Sequence, residues 1–173
     1  TQILGTSRTI AMENPTYRQA YRVFESLGCQ MKPVEMDAHG MNVRLLEESG
    51  ADIAYVMPSH QYPMGVVMPV KRRQELLSWA GRGEKRYLIE DDYDSEFRYR
   101  GKPVPALQGM DIQGKVIYMG TFSKSIAPAI RVGYLVLPAP LLAVYKRKCG
   151  FYASTVSRID QKIIYQFLTE GHY

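Results

Sequence analysis

KVIYMGTFSKSIAPAIRVGYLVLP, residues 115–138, is the stretch on which the fold class turns. Its first six residues form an apolar, β-branched run that reads as a buried strand, and residues 131–138 read as another. Between them Thr121, Ser123, Lys124 and Arg131 are packed into a short polar turn. Working outward, comparable strand-like runs stand at 8–13, 51–59 and 86–91. Helix-period stretches at 15–27, 42–49 and 69–80 separate the strands and are followed by Gly28, Gly50 and Gly81, with a further one at 158–169. Strand and helix alternate, which predicts an α/β domain whose mostly parallel sheet is covered by helices on both faces. In such sheets ligands bind beyond the carboxyl ends of the strands, so the residues just after 90 and 120 are where chemistry is expected.

Composition narrows the class. The 173 residues, 46% of them apolar, suffice for one domain with its own core. No run approaches the ~18 apolar residues of a membrane span, and no basic region followed by an apolar run opens the chain, so a cytoplasmic protein is expected. Cys29 and Cys149 lie far apart without CxxC spacing, which argues against zinc and against a disulfide framework. The net charge of +5 suits anionic ligands, yet the basic residues stand in short groups, chiefly 71–73 and 146–148, which read as solvated helix faces. Neither group is interleaved with aromatic residues as a base-stacking surface would be. There is no GxxxxGK[ST] loop and no GxGxxG fingerprint, so nucleotide chemistry has no visible support.

The polar turn carries the sharpest chemical signal. Hydroxyls and a guanidinium bind phosphate oxygens, while a lysine amine attacks a carbonyl, so the group suits a phosphate beside an aldehyde. The lysine must be neutral to attack, a state that a nearby cation such as Arg131 and partial desolvation favour. After the strand at 86–91 comes a second polar cluster, Asp91, Asp92, Tyr93 and Asp94. One buried carboxylate there could face a ring nitrogen, keep it protonated and make the ring an electron sink. Within the acidic group only Asp91 is given that role; Asp92, Asp94 and Glu96 read as structural or surface residues. Without EF-hand spacing or a turning glycine, the group does not read as a metal site.

The segments PSHQYPMG (58–65), IEDDYDSEFRY (89–99), ALQGMD (106–111) and YMGTFSKSIAPAIRVGYLVLP (118–138) resemble the aminotransferase-like domain of MocR-type regulators of the GntR superfamily. The resemblance covers about residues 10–170, and its SKxxxxxxR element marks proteins of fold type I that use pyridoxal 5′-phosphate (PLP). It implies that Lys124 holds PLP as a Schiff base, that Asp91 bonds the pyridine nitrogen and that Tyr93 bonds the ring 3′-oxygen. Thr121, Ser123 and Arg131 would hold the phosphate, and Tyr17, in ENPTY at 13–17, would stack on the ring. It further implies a homodimer. Residues 1–173 would form one cofactor-binding large domain, with an N-terminal DNA-binding domain and a C-terminal small domain outside them.

One position departs from the pattern. Aminotransferases of this fold commonly read N-P-x-G where this chain has Tyr62, Pro63, Met64 and Gly65, and the asparagine amide bonds the cofactor's 3′-oxygen. Tyr62 has no amide to donate, so one control on the cofactor is altered, with His60 and Gln61 as candidate substitutes. Two functions follow from the resemblance. One is an effector-sensing regulator domain that recognises a small amino compound and reaches DNA only through another domain. The other is an aminotransferase acting on an amino acid.

Overall fold

A computed structural model describes residues 2–5, 7–94, 96–97 and 104–172. Seven strands form one sheet: β1 (Thr9–Asn14), β2 (Gln30–Asp37), β3 (Gly40–Met41), β4 (Ile53–Val56), β5 (Tyr87–Asp92), β6 (Val116–Thr121) and β7 (Gly133–Val136), in the order β3-β2-β1-β4-β5-β6-β7. The five strands from β2 to β6 run parallel, and the edge strands β3 and β7 are antiparallel to their neighbours. The helices are α1 (Arg18–Ser26), α2 (Val43–Glu48), α3 (Val70–Gly81), α4 (Leu107–Met110), α5 (Ala139–Cys149) and α6 (Arg158–Thr169).

Alternation along the central strands divides the core into two layers. Ala54 and Val56 of β4 and Leu88 of β5 pack with Leu46 of α2, Leu76 and Trp79 of α3, and Leu107 of α4. Ile53 and Tyr55 of β4 and Ile89 of β5 pack on the opposite face with Phe24 of α1 and Leu141 of α5. The expected covering of both faces is therefore present. Gly28 and Gly50, at φ +82° and +67°, turn the chain after α1 and α2 in a conformation that side-chain-bearing residues avoid. Asn42 caps α2 by accepting hydrogen bonds from the backbone N–H groups of Arg44 and Leu45.

Three differences from the sequence reading have physical causes. β2 was not expected, because QMKPVEMD carries a proline and three charged residues; β3 pairs with it only at Met36 and Asp37, so its first part borders an open edge where proline is tolerated. Helix α3 includes Gly81 as its last residue, with Arg82 as the C-cap, and the glycine leaves room for the Gln113 amide beside it. The group at 71–73 is not a solvated face. Arg73 is fully buried, donating to the backbone carbonyls of Pro58, Met68 and Pro105, while Arg72 pairs with Asp37 and Glu75. Only the group at 146–148, on the exposed side of α5, matches the expectation.

Candidate functional site

Because β1, β4, β5 and β6 are parallel, the segments following Asn14, Val56, Asp92 and Thr121 emerge at one edge of the sheet. Every residue singled out from the sequence lies on or just beyond that edge. The pleat of β5 decides which carboxylate faces where. Glu90 turns toward α3 and α4, where it accepts hydrogen bonds from the backbone N–H groups of Leu107 and Gln108, each at 2.9 Å. Asp92 accepts from the Tyr118 hydroxyl at 2.7 Å. Asp91 faces the opposite layer and accepts a short hydrogen bond from the Tyr55 hydroxyl. Burial pushes the Asp91 carboxyl above its usual range, the Tyr55 hydrogen bond opposes this, and the neighbouring Asp92 charge adds to it.

Tyr93 and Asp94 follow. The Tyr93 hydroxyl donates to the His60 carbonyl at 2.8 Å, and the two rings stack with centroids 6.0 Å apart. Asp94, read from the sequence as structural or surface, is only 1% exposed. Its Oδ2 lies 2.8 Å from Lys124 Nζ and 2.8 Å from His60 Nδ1. The surface alternative is thus overturned: a carboxylate this buried needs a cation or donors, and Lys124 and His60 supply them. The Lys124 ammonium also lies 5.0 Å from the Tyr93 ring centre. Ser95 and residues 98–103, the first of which belong to the segment 89–99 that carried the resemblance, fall outside the described residues.

The turn after β6 is organised differently. Thr121 Oγ1 meets Ser123 Oγ at 3.1 Å and the Val132 carbonyl at 3.3 Å, and Ser123 Oγ donates to the Ile130 carbonyl at 2.7 Å. The hydroxyls therefore close the loop on itself, and Arg131 stands exposed beside it. Tyr17, half-exposed before α1, packs edge-on against Tyr62 with ring centroids 6.0 Å apart and donates to Gln19 at 2.5 Å. These two tyrosines border a groove that also includes Arg18 and Arg22 of α1.

Gln61 does not replace the missing asparagine. Its amide nitrogen donates to the Pro15 and Tyr62 carbonyls at 2.9 Å each, and its oxygen accepts from Met64 N–H at 3.0 Å. Its donors are spent in joining the loops after β1 and β4. Sequence reasoning missed this role, and it missed Tyr55, which sits in an otherwise apolar strand. The one signal available for Tyr55 was its polar hydroxyl within a run buried on both faces, where a partner is required.

The donor set fits PLP chemically: an amine, a carboxylate facing the Tyr55 layer, an aromatic ring at Tyr17, and hydroxyls with a guanidinium at the neighbouring strand end. Among the described residues, Thr16 Oγ1 and Ser125 Oγ, next in sequence to Tyr17 and Lys124, are buried without a hydrogen-bond partner.

The family model "Aminotransferase class I and II" matches residues 1–170. An HTH-type transcriptional regulator of Bacillus subtilis, YdeL, is 40% identical over 99% of this chain, which spans 37% of the regulator. The "Probable rhizopine catabolism regulatory protein MocR" of Rhizobium meliloti is 36% identical over 94% of this chain and is spanned to 33% of its length. Among solved structures, kynurenine aminotransferase of Pyrococcus horikoshii superposes with a TM-score of 0.86 at 29% identity, over 99% of this chain and 46% of that one. The chain thus spans about a third of the regulators it matches and under half of the enzyme.

Proposed function

The chain belongs to the aminotransferase class I and II family, and from that premise we propose that it is the PLP-holding, effector-sensing domain of a helix-turn-helix transcriptional regulator, with the cofactor carried on Lys124. The observation that carries this reading is the meeting of Lys124 with the Asp91–Asp94 segment at the end of parallel strands, Nζ lying 2.8 Å from Asp94 and 5.0 Å from the Tyr93 ring centre. When bound, PLP supplies an electron-accepting ring bearing an aldehyde. The chain does the rest. Asp91 would hold a proton on the ring nitrogen, Tyr17 would cover the ring face and exclude water, and Tyr93 would bond the 3′-oxygen by turning its hydroxyl from the His60 carbonyl. Thr121, Ser123 and Arg131 would grip the phosphate, the two hydroxyls exchanging their hydrogen bonds within the loop for the phosphate oxygens. A small amino compound taking the place of Lys124 would change the packing at this edge, and a DNA-binding domain outside this chain would read the change.

Regulators are the relatives with the highest identities above, and the Tyr62 departure points the same way. With Gln61 committed to the loops and Tyr62 52% exposed, the loop after β4 brings no side-chain amide to the cofactor's 3′-oxygen. The second reading, an aminotransferase acting on an amino acid, is favoured by the likeness to kynurenine aminotransferase. A homodimer and a cytoplasmic location accompany the regulator reading; among the described residues no helix is long and apolar enough to cross a membrane.

The test is an absorbance spectrum of the full-length protein with PLP, before and after borohydride, followed by peptide mapping. We expect a yellow protein in which reduction fixes the cofactor to Lys124. Fixation at Lys102, Lys115 or another lysine would overturn the assignment. A panel of amino acids and keto acids separates the two readings, since multiple-turnover transfer of the amino group from amino acid to keto acid would make the protein an enzyme. Residues 1–173 alone are expected to show no such turnover, because orientation of the reacting bond requires a fixed substrate carboxylate contact, which in this fold usually comes from the small domain proposed to lie outside them, and its loss costs several powers of ten.

A further inference from the structure

We propose that Asp94 is a positioning residue for Lys124, sharing one buried carboxylate oxygen between Lys124 and His60 so that the unengaged amine is held as an ammonium over Tyr93. The cluster is built from three adjacent strands: His60 follows β4, Asp94 follows β5 and Lys124 follows β6. Its burial is the reverse of a surface ion pair. The Asp94 side chain is 2% exposed, whereas those of Lys124 and His60 are 43% and 36% exposed. A buried carboxylate without a partner is costly, so Asp94 has to retain a donor whatever Lys124 does. His60 provides the second one, on the same oxygen and at the same 2.8 Å. Tyr93 fixes the spacing, its hydroxyl fastened to the His60 carbonyl and its ring stacked on the His60 imidazole.

Two consequences follow from this geometry. While Lys124 is unengaged, Asp94 favours its charged form and confines it to one place, which lowers its reactivity as a nucleophile. Once Lys124 is engaged elsewhere, His60 keeps Asp94 partnered, and the end of β5 with Asp91, and Tyr93 just beyond it, stay in position. The contact itself is independent of the cofactor, although its biological meaning rests on the function proposed for Lys124.

The experiment uses the cofactor-free full-length protein and acetic anhydride, with the labelling rate of Lys124 followed by mass spectrometry against Lys146 on the exposed side of α5, over a range of pH. The ionisable groups around Lys124 include Asp94 and Tyr93 after β5 and His60 after β4. We expect Lys124 to be labelled more slowly than Lys146, and Asp94→Asn to raise its rate about ten-fold and move its pH profile downward, as loss of a contacting opposite charge requires. Asp94→Glu should restore part of the protection, and His60→Gln should leave it in place. An unchanged Lys124 rate and pH profile in Asp94→Asn would overturn the proposal. Should Asp94→Asn not fold, nitrogen NMR of the His60 ring decides: its Nδ1 hydrogen bond should persist in Lys124→Met, and its loss there would refute the sharing. Absence of a borohydride-trapped cofactor in the unmutated protein would instead strike at the proposed function and leave the labelling result standing.

Discussion

The β4–β5 side of the sheet and the β6–β7 side are built from similar sequence to opposite effect. IAYV of β4 is buried at all four positions, whereas in GYLV of β7 Leu135 and Val136 are 51% and 40% exposed. The site repeats the contrast. After β4 and β5, His60, Tyr93 and Asp94 bind one another across strands, and Asp91 is tied to Tyr55. After β6, Thr121 and Ser123 bind their own loop, and Arg131 is exposed. One half of the site is held by tertiary contacts and the other by local ones, so substitutions in the first should reach both stability and cofactor, and those in the second chiefly the ligand.

The largest effect tests where the halves meet. Lys124→Ala should abolish borohydride-fixed cofactor altogether, as peptide mass mapping would show, while the thermal midpoint stays near that of the parent. A fall of many degrees would mean that Lys124 also supports the β5 segment. Next in size is the core itself: Leu88→Ala, at a fully buried position, should cost about 2–5 kcal/mol in urea unfolding, against under about 0.5 kcal/mol for Leu135→Ala. Equal costs would erase the distinction between the two sides.

Glu13, at the end of β1, offers a pH test of the wired side. It is 1% exposed, accepts from Met57 N–H at 3.4 Å and has no close partner for Oε1 among the described residues, and burial, opposed by hydrogen bonding, raises its carboxyl from 4.5 to about 7. A carboxyl raised on folding makes the native state bind its proton more tightly than the unfolded chain does. Its contribution is therefore complete below pH 4.5, declines as pH rises to about 7 and is absent above that, about 3 kcal/mol in all. Glu13→Gln should flatten this part of the stability profile; an identical slope in the variant would place the titration elsewhere.

Smaller effects separate the ligand contacts. Asp91→Asn should weaken PLP binding by ~10–100-fold, the range for losing a charge-assisted hydrogen bond in a partly desolvated site, and should alter the cofactor's absorbance. Arg131→Met should weaken it by about ten-fold or less, with a penalty that shrinks at high salt because the contact is exposed. A larger penalty for Arg131 than for Asp91 would reverse the ranking of the two halves.

How much of this was legible in advance differs along the chain. Strands β1, β4, β5 and β6 were readable because they are apolar runs bounded by turn residues, and Asp91 and Lys124 because they stand at the end of such a run or within four residues of it. β2 was not, since a proline and charges are compatible with a strand only beside an open edge, and edges are set by strand order. Arg73 was misread for a related reason. A basic group on a helix is ordinarily solvated, and nothing local shows that three carbonyls from Pro58, Met68 and Pro105 will surround it.

By itself the amino-acid sequence determined the α/β class, the parallel core strands and the strand ends where polar residues gather, because hydrophobic period and turn chemistry act over a few residues. Only the tertiary structure decided which of the consecutive acidic residues faces Tyr55, that Asp94 is buried between Lys124 and His60, and that Gln61 is spent on two loops. Those outcomes depend on the pleat direction of β5 and on loops brought together from β1, β4, β5 and β6. Burial and charge pairing arise between segments some thirty or more residues apart, as with Asp94 and Lys124 at a separation of 30, so they exist only once the sheet has formed.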